Sequence, residues 1–371
     1  MIYTYEYIDH PICGFHERIN HFFQVLTENN ITTYDETLLL EEEVRPCVEE
    51  CNVTLNQRFR EIFAKYQRLT ANQKAKFKNA FVVNQDIEKM CKDISICPVK
   101  YTDLSFFVDR GGNNLLKSFY MALWKQVLST KSVKDVYTTV QAHFNQFIVT
   151  GKNVGKVCPF CGLYPLKPPS EIPEQKKRND YDHLAAESIY PFAAVNFKNL
   201  APACTECNSD EKYTADVFYK NRRRRQVLYP YDSTYDDEKL DIRINPLNDY
   251  NPETNKTLLK DIDWELIITM AGIEEPYLTT WNEVYDIKGR YKRYLLVHQA
   301  NWFESLKKKY KDDMEDGIEF ERYKTKRIND AKDEIKTTPL GILKYIYYNY
   351  MLNMPSFKQY LEDNYKTPYN P

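Results

Sequence analysis

The chain has 371 residues, 43% of them apolar and 28% charged, with 10 glycines and a formal net charge of −2. That length suits two or three domains with a real core, and the mix is ordinary for a globular protein rather than a disordered one. No apolar run is long enough to cross a bilayer, since even Trp264–Ala271 is short and polar-flanked. The first residues lack the basic start and apolar run of a signal peptide, so a cytoplasmic location without membrane association is expected.

The first 150 residues read as helix. Phe15, Ile19, Phe22, Phe23 and Leu26 recur at helical spacing, as do Phe59, Ile62, Phe63 and Tyr66. A further helix is predicted over 114–128, carrying Leu115, Leu116, Phe119, Tyr120, Leu123 and Val127 on one face. Another is predicted to follow Ser132 as N-cap and to run through Val136, Val140 and Phe147 to Gly151. At 151 the texture changes. Pro159, Pro165, Pro168, Pro169 and Pro173 break helix, and a short irregular module is expected there. Leu240-Asp241-Ile242-Arg243-Ile244 alternates as a half-buried strand does. From about 254 helix returns, with Val284, Ile287, Tyr291, Tyr294, Leu295 and Trp302 on one stripe. Most of the 30 tyrosines, such as Tyr345 to Tyr350, are expected to pack in the core.

Charge is uneven along the chain. Residues 151–230 carry 13 Lys+Arg against 9 Asp+Glu, whereas both flanks are net acidic. A basic centre suits a polyanionic ligand. Lys220 and Arg222, Arg223, Arg224 and Arg225 form one basic run and Lys176-Lys177-Arg178 another, both candidates for a phosphate backbone.

Cys158-Pro159-Phe160-Cys161 and Cys204-Thr205-Glu206-Cys207 are two Cys-x-x-Cys pairs. Two intervening residues let both sulfurs bind one ion from a tight turn, and two such turns complete a tetrahedral site, so structural Zn²⁺ is expected on Cys158, Cys161, Cys204 and Cys207. A redox role would need a helix after the first pair, which Gly162 and the prolines forbid. A deaminase would need a His-x-Glu, but Ala185 stands two residues after His183. Four thiolates leave no open coordination position, so any chemistry must come from other residues.

Between and just after the pairs stand Asp180-Tyr181-Asp182-His183, Asn199-Leu200 and Asn208, with Lys212 four residues further on. This arrangement resembles the HNH endonucleases over about 55 residues. The resemblance implies an α+β fold: a small ββα-metal core with a zinc knuckle, embedded between mainly α-helical regions. The corresponding domains are 1–150, 151–250 and 251–371. It implies that His183 is the general base, that Asp182 and Asn208 hold Mg²⁺ or Mn²⁺, and that Asn199 braces the histidine loop. Lys212 is assigned to a phosphate and Asp180 to orienting His183 or the metal's waters. Imidazole, with a pKa near 6.5, accepts a proton from water at neutral pH, and oxygen donors suit a hard cation. Leu184-Ala185-Ala186-Glu187 departs from the proline and lysine that many members carry there. Tyr229-Pro230-Tyr231-Asp232 is similar to a segment of larger bacterial HNH proteins.

The implied activity is hydrolysis of phosphodiester bonds, of DNA sooner than RNA, in a bacterial defence or restriction effector. Such proteins often work with an ATPase or sensor, and this chain has no GxxxxGK[ST] loop of its own. The helical arms are open to sensing, docking a partner or forming a homo-oligomer. The rival reading is a non-catalytic zinc module that binds nucleic acid or protein.

Overall fold

A computed structural model describes residues 1–29, 31–168, 179–247 and 259–365. It is mixed α+β: helices dominate, and the described strands form three separate two-stranded antiparallel sheets. No described helix is long and apolar enough to cross a membrane. The chain divides into two compact units, one of Tyr5–Val154 with Lys167–Ser233, the other of Met1–Thr4, Gly155–Leu166 and Thr234–Pro371. These boundaries run differently from the three sequence segments. The basic run Lys176-Lys177-Arg178 lies outside the described residues.

In the first unit the apolar stripes fold as their periodicity dictates. The Pro11–Glu28 helix buries Phe15, Ile19, Phe22, Phe23 and Leu26, and the Gln57–Gln67 helix buries Phe59, Ile62, Phe63 and Tyr66. Proline at the first helical position lacks only a donor that would be unpaired anyway, and the His10 ring accepts from Ile12 N at 3.3 Å. The Leu115–Lys125 helix is capped by the Asn114 side chain, which accepts from Lys117 N at 3.0 Å.

The helix expected from Ser132 to Gly151 is two helices, Lys131–Tyr137 and Val140–Phe147. Thr138 takes a positive φ of 68° between them, and the Thr139 side chain caps the second by accepting from Ala142 N. Ser132 is not the cap of the first: the Glu50 carboxylate receives the amides of Lys131 and Ser132.

Phe192 ties the central segment to these helices. Its ring lies 5.1 Å from Phe23, 5.6 Å from Phe77, 5.4 Å from Phe81 and 5.6 Å from Tyr120, mostly edge to face. Burying one such ring contributes about 2–3 kcal/mol before the gain from edge-to-face geometry. That anchors a loop between two short strands, β1 (Tyr181–His183) and β2 (Leu200–Pro202), paired antiparallel with Asp182 opposite Ala201 and His183 opposite Leu200. A helical turn of π type, Glu206–Lys212, follows β2. Strands β3 (Tyr219–Lys220) and β4 (Arg223–Arg224) form a hairpin. Its two turn residues, Asn221 and Arg222, have φ of 50° and 66°, as a tight primed turn requires.

In the second unit β5 (Leu240–Pro246) pairs along its whole length with β6 (Trp264–Met270). The stripe from Val284 to Trp302 spans two helices, Glu275–Tyr285 and Ile287–Glu315, because Asp286 adopts the left-handed conformation between them. Tyr347 and Tyr348 are fully buried on the Gly341–Leu352 helix, where core packing was expected.

The Cys158–Cys161 turn belongs to this unit and is held at nearly every carbonyl. Pro159 O accepts from Ile2 N at 2.8 Å, Phe160 O from the Trp281 indole at 2.7 Å and Cys161 O from the Tyr291 hydroxyl at 2.6 Å. Gly162 closes the turn with φ +67°, donating to Cys158 O at 2.7 Å. A Cβ on it would stand 3.0 Å from Ile342 Cγ2 and 3.1 Å from Ile2 Cγ1.

Candidate active-site cavity and four-cysteine cluster

The Sγ atoms of Cys158, Cys161, Cys204 and Cys207 lie within 4.8 Å of one another, and all four residues are buried. A tetrahedral Zn–S distance of about 2.3 Å implies sulfur–sulfur edges of about 3.8 Å, so the set is compact enough for one ion. Backbone amides already face two of the sulfurs: Leu163 N donates to Cys161 Sγ and Cys207 N to Cys204 Sγ, each at 3.4 Å. The chain therefore carries a four-cysteine cluster compatible with zinc.

Residues in and beside β1 and in the turn after β2 meet in one cavity of about 920 Å³, lined by Asp180, Asp182, His183 and Asn208 together with Glu187 and Lys212. His183 is buried, and its Nε2 lies 2.9 Å from Ala194 O. A carbonyl only accepts, so Nε2 carries the proton and Nδ1 presents a lone pair in the neutral ring. Burial lowers the His183 pKa from its ordinary value, opposed chiefly by the negative charge of Glu187. The ring is thus neutral at pH 7. Glu187 Oε2 stands 3.7 Å from Nδ1, and the Trp124 ring packs edge to face at 4.6 Å.

Asn199 is wholly buried and closes the loop behind the histidine. Its Oδ1 accepts from Ala185 N at 2.7 Å, and its Nδ2 donates to Ala185 O and Ala193 O at 3.0 Å each. Ala194, whose carbonyl holds His183, is the next residue on. The Asn199 side chain thus links Ala185 to Ala193 within the loop.

Lys212 is placed otherwise than expected. It is 4% exposed, and its ammonium donates to the Asp182 carboxylate and to His183 O instead of facing outward for a phosphate. The arginine run also divides. Arg222 and Arg223 are exposed at the hairpin tip, whereas Arg224 donates to Ile96 O at 2.9 Å and to Met90 O, and lies over the Phe218 ring at 5.2 Å. Arg224 is a brace between segments, and Arg225 is half-buried beside it with its amide bonded to Phe218 O. Sequence density alone did not separate these roles.

His143 is buried against Tyr181 and Phe197, with Nδ1 on the Tyr181 hydroxyl. The Tyr229–Asp232 segment clamps β2: Tyr231 donates to Leu200 O and Tyr229 to Lys198 O, while Asp232 pairs with Lys92 at 2.9 Å. The cavity lining also includes Trp124, Lys125 and Lys134 from the helical region. Sequence reading missed these. Their stretches carry no signal beyond amphipathic helix, and only folding brings them beside residues far along the chain, Asp180 to Asn208. No protein-family model, curated protein or solved structure matches this chain.

Proposed function

We propose that this protein is a metal-dependent endonuclease with an HNH-type centre, hydrolysing phosphodiester bonds of DNA. The observation that carries the reading is the shared cavity of Asp182, His183 and Asn208, in which the imidazole offers an unprotonated Nδ1. Hydrolysis needs a base for water, charge neutralisation at phosphorus and help for the leaving oxygen. His183 Nδ1 takes the proton as the water oxygen attacks, and the resulting imidazolium faces Glu187. Asn199 and Ala194 O keep the ring in one orientation.

Asp182 and Asn208 supply hard oxygen donors and would hold Mg²⁺ or Mn²⁺, which when bound neutralises charge on the phosphate and the departing oxygen. Zn²⁺ on the four cysteines is structural in this reading. By resemblance the products carry 5′-phosphate and 3′-hydroxyl ends. A place in bacterial anti-phage defence or restriction, alongside an ATPase or sensor, belongs to the same proposal.

The test is plasmid cleavage by the pure protein with Mg²⁺ or Mn²⁺. Cutting that disappears in His183→Ala while the cysteine-bound metal is retained supports the reading, and equal cutting by both proteins sinks it. One observation favours a second reading, a non-catalytic zinc module: Lys212 already neutralises Asp182 with no divalent cation required. Nucleic-acid binding by both proteins with no cutting under either metal favours that alternative.

A further inference from the structure

The cavity lining carries two kinds of charge. Asp180, Asp182 and Glu187 come from β1 and the residues beside it, whereas Lys125 and Lys134 come from the helical region. Lys125 ends the Leu115–Lys125 helix and Lys134 lies in the last turn of the Lys131–Tyr137 helix, both exposed. Among the described residues neither ammonium has an ion-pair partner. Lys212, the lysine that the motif suggested, is held on Asp182. The same lining includes Trp124, half-buried and in contact with the His183 ring.

We propose that Lys125, Lys134 and Trp124 form the substrate-seating wall of this cavity, holding one nucleic-acid strand by two phosphates and a base next to the scissile bond. The proposal rests on the nuclease reading and extends it. Carboxylates suited to a cation and unpaired ammonium groups suited to phosphate are what a strand bound through a metal ion and its own backbone requires. Lysine neutralises phosphate as a point charge without reading sequence, and an indole accepts any unstacked base.

Size favours a single strand. A sphere of the cavity's 920 Å³ is about 12 Å across, which is only the width of the major groove of a duplex. A duplex would have to open locally to place a strand there, as enzymes that act on unstacked nucleotides arrange. The helical region preceding β1, to which sequence reading gave no role, thereby supplies the substrate contacts, and the exposed hairpin arginines Arg222 and Arg223 do not.

The experiment is binding of a 5′-labelled 12-nucleotide single-stranded DNA to the full chain, read by anisotropy, with Ca²⁺ in place of Mg²⁺. The paired substitution Lys125→Gln with Lys134→Gln should weaken binding about tenfold or more. It should also flatten the dependence of log Kd on log salt by about 1.4, two phosphates at 0.7 each. Lys125→Arg with Lys134→Arg should restore both, and Trp124→Leu should weaken binding about tenfold with the salt slope unchanged. Arg222→Ala with Arg223→Ala should alter neither quantity. Wild-type affinity and slope in the lysine-to-glutamine variant would overturn the proposal while leaving the nuclease reading in place. So would equal affinity for a 12-base-pair duplex. Failure of the wild type to bind either nucleic acid would overturn both.

Discussion

Replacing Asn199 tests whether one buried amide holds the histidine loop. In Asn199→Ala the Ala185 amide loses its acceptor at 2.7 Å, and a buried donor left without a partner costs about 1–3 kcal/mol. Two donated bonds to Ala185 O and Ala193 O vanish as well, each contributing about 1 kcal/mol net. Ala193 O keeps a second partner in Asn196 N, which softens that loss. The total is about 3–5 kcal/mol. Asn199→Asp is the sharper case: it preserves shape and one acceptor but turns an anionic oxygen toward two carbonyls with no proton between them. At neutral pH it should be more destabilising than alanine, because a buried charge without a donor is expensive. The assay is urea unfolding of the full chain, with hydrogen exchange across 184–198. Both variants should expose that loop to exchange and lower any cleavage activity, since Ala194 O would no longer hold His183. A loss below about 1 kcal/mol for alanine, or a milder effect of aspartate at pH 7, would refute the argument.

Three further outcomes follow from named contacts. Lys212→Met removes one half of a buried ion pair and should destabilise the metal-free protein by about 3–5 kcal/mol. It should also raise Mn²⁺ affinity at Asp182, both effects readable by denaturation and calorimetry with and without Mn²⁺. His16, buried and bonded to Gln85 Oε1 at 2.9 Å, has its pKa lowered by burial to about 4. The unfolded chain protonates this group near 6.5, so it binds more protons than the native state between these values. The contribution of His16 to stability is therefore flat above pH 6.5 and falls by up to about 3 kcal/mol as pH drops toward 4, a slope that His16→Gln should reduce in urea titrations at pH 7 and pH 5. Cys158→Ser or Cys204→Ser should each lose bound zinc by elemental analysis and lower the unfolding temperature, because metal binding contributes directly to folding.

How far the fold was legible depended on whether each signal was local. The stripes at 15–26, 59–66 and 115–123 gave helices and core residues correctly, because burial of one face is written in spacing alone. The breaks at Thr138 and Asp286 were invisible, since both interrupt a continuous apolar stripe through backbone conformation. Strand β6 was passed over because Trp264–Met270 lacks strict alternation, and its partner β5 supplies the evidence for it. In the cavity, Asp182, His183 and Asn208 were readable as a motif. Lys212 and Arg224 were read as free cations, and only their partners, Asp182 and the carbonyls of Met90 and Ile96, reveal otherwise. Trp124, Lys125 and Lys134 had no motif to betray them.

Gly162 has a consequence for recognising this architecture elsewhere. Positive φ strains any other residue there, and Ile2 Cγ1 and Ile342 Cγ2 crowd the place a Cβ would take, so the first cysteine turn is properly a five-residue word, Cys-x-x-Cys-Gly. A distant chain that kept both sulfurs but carried a branched residue in the fifth place would have to reshape the turn or move both isoleucines. The fifth letter therefore discriminates true counterparts from chance cysteine pairs where overall sequence likeness has faded.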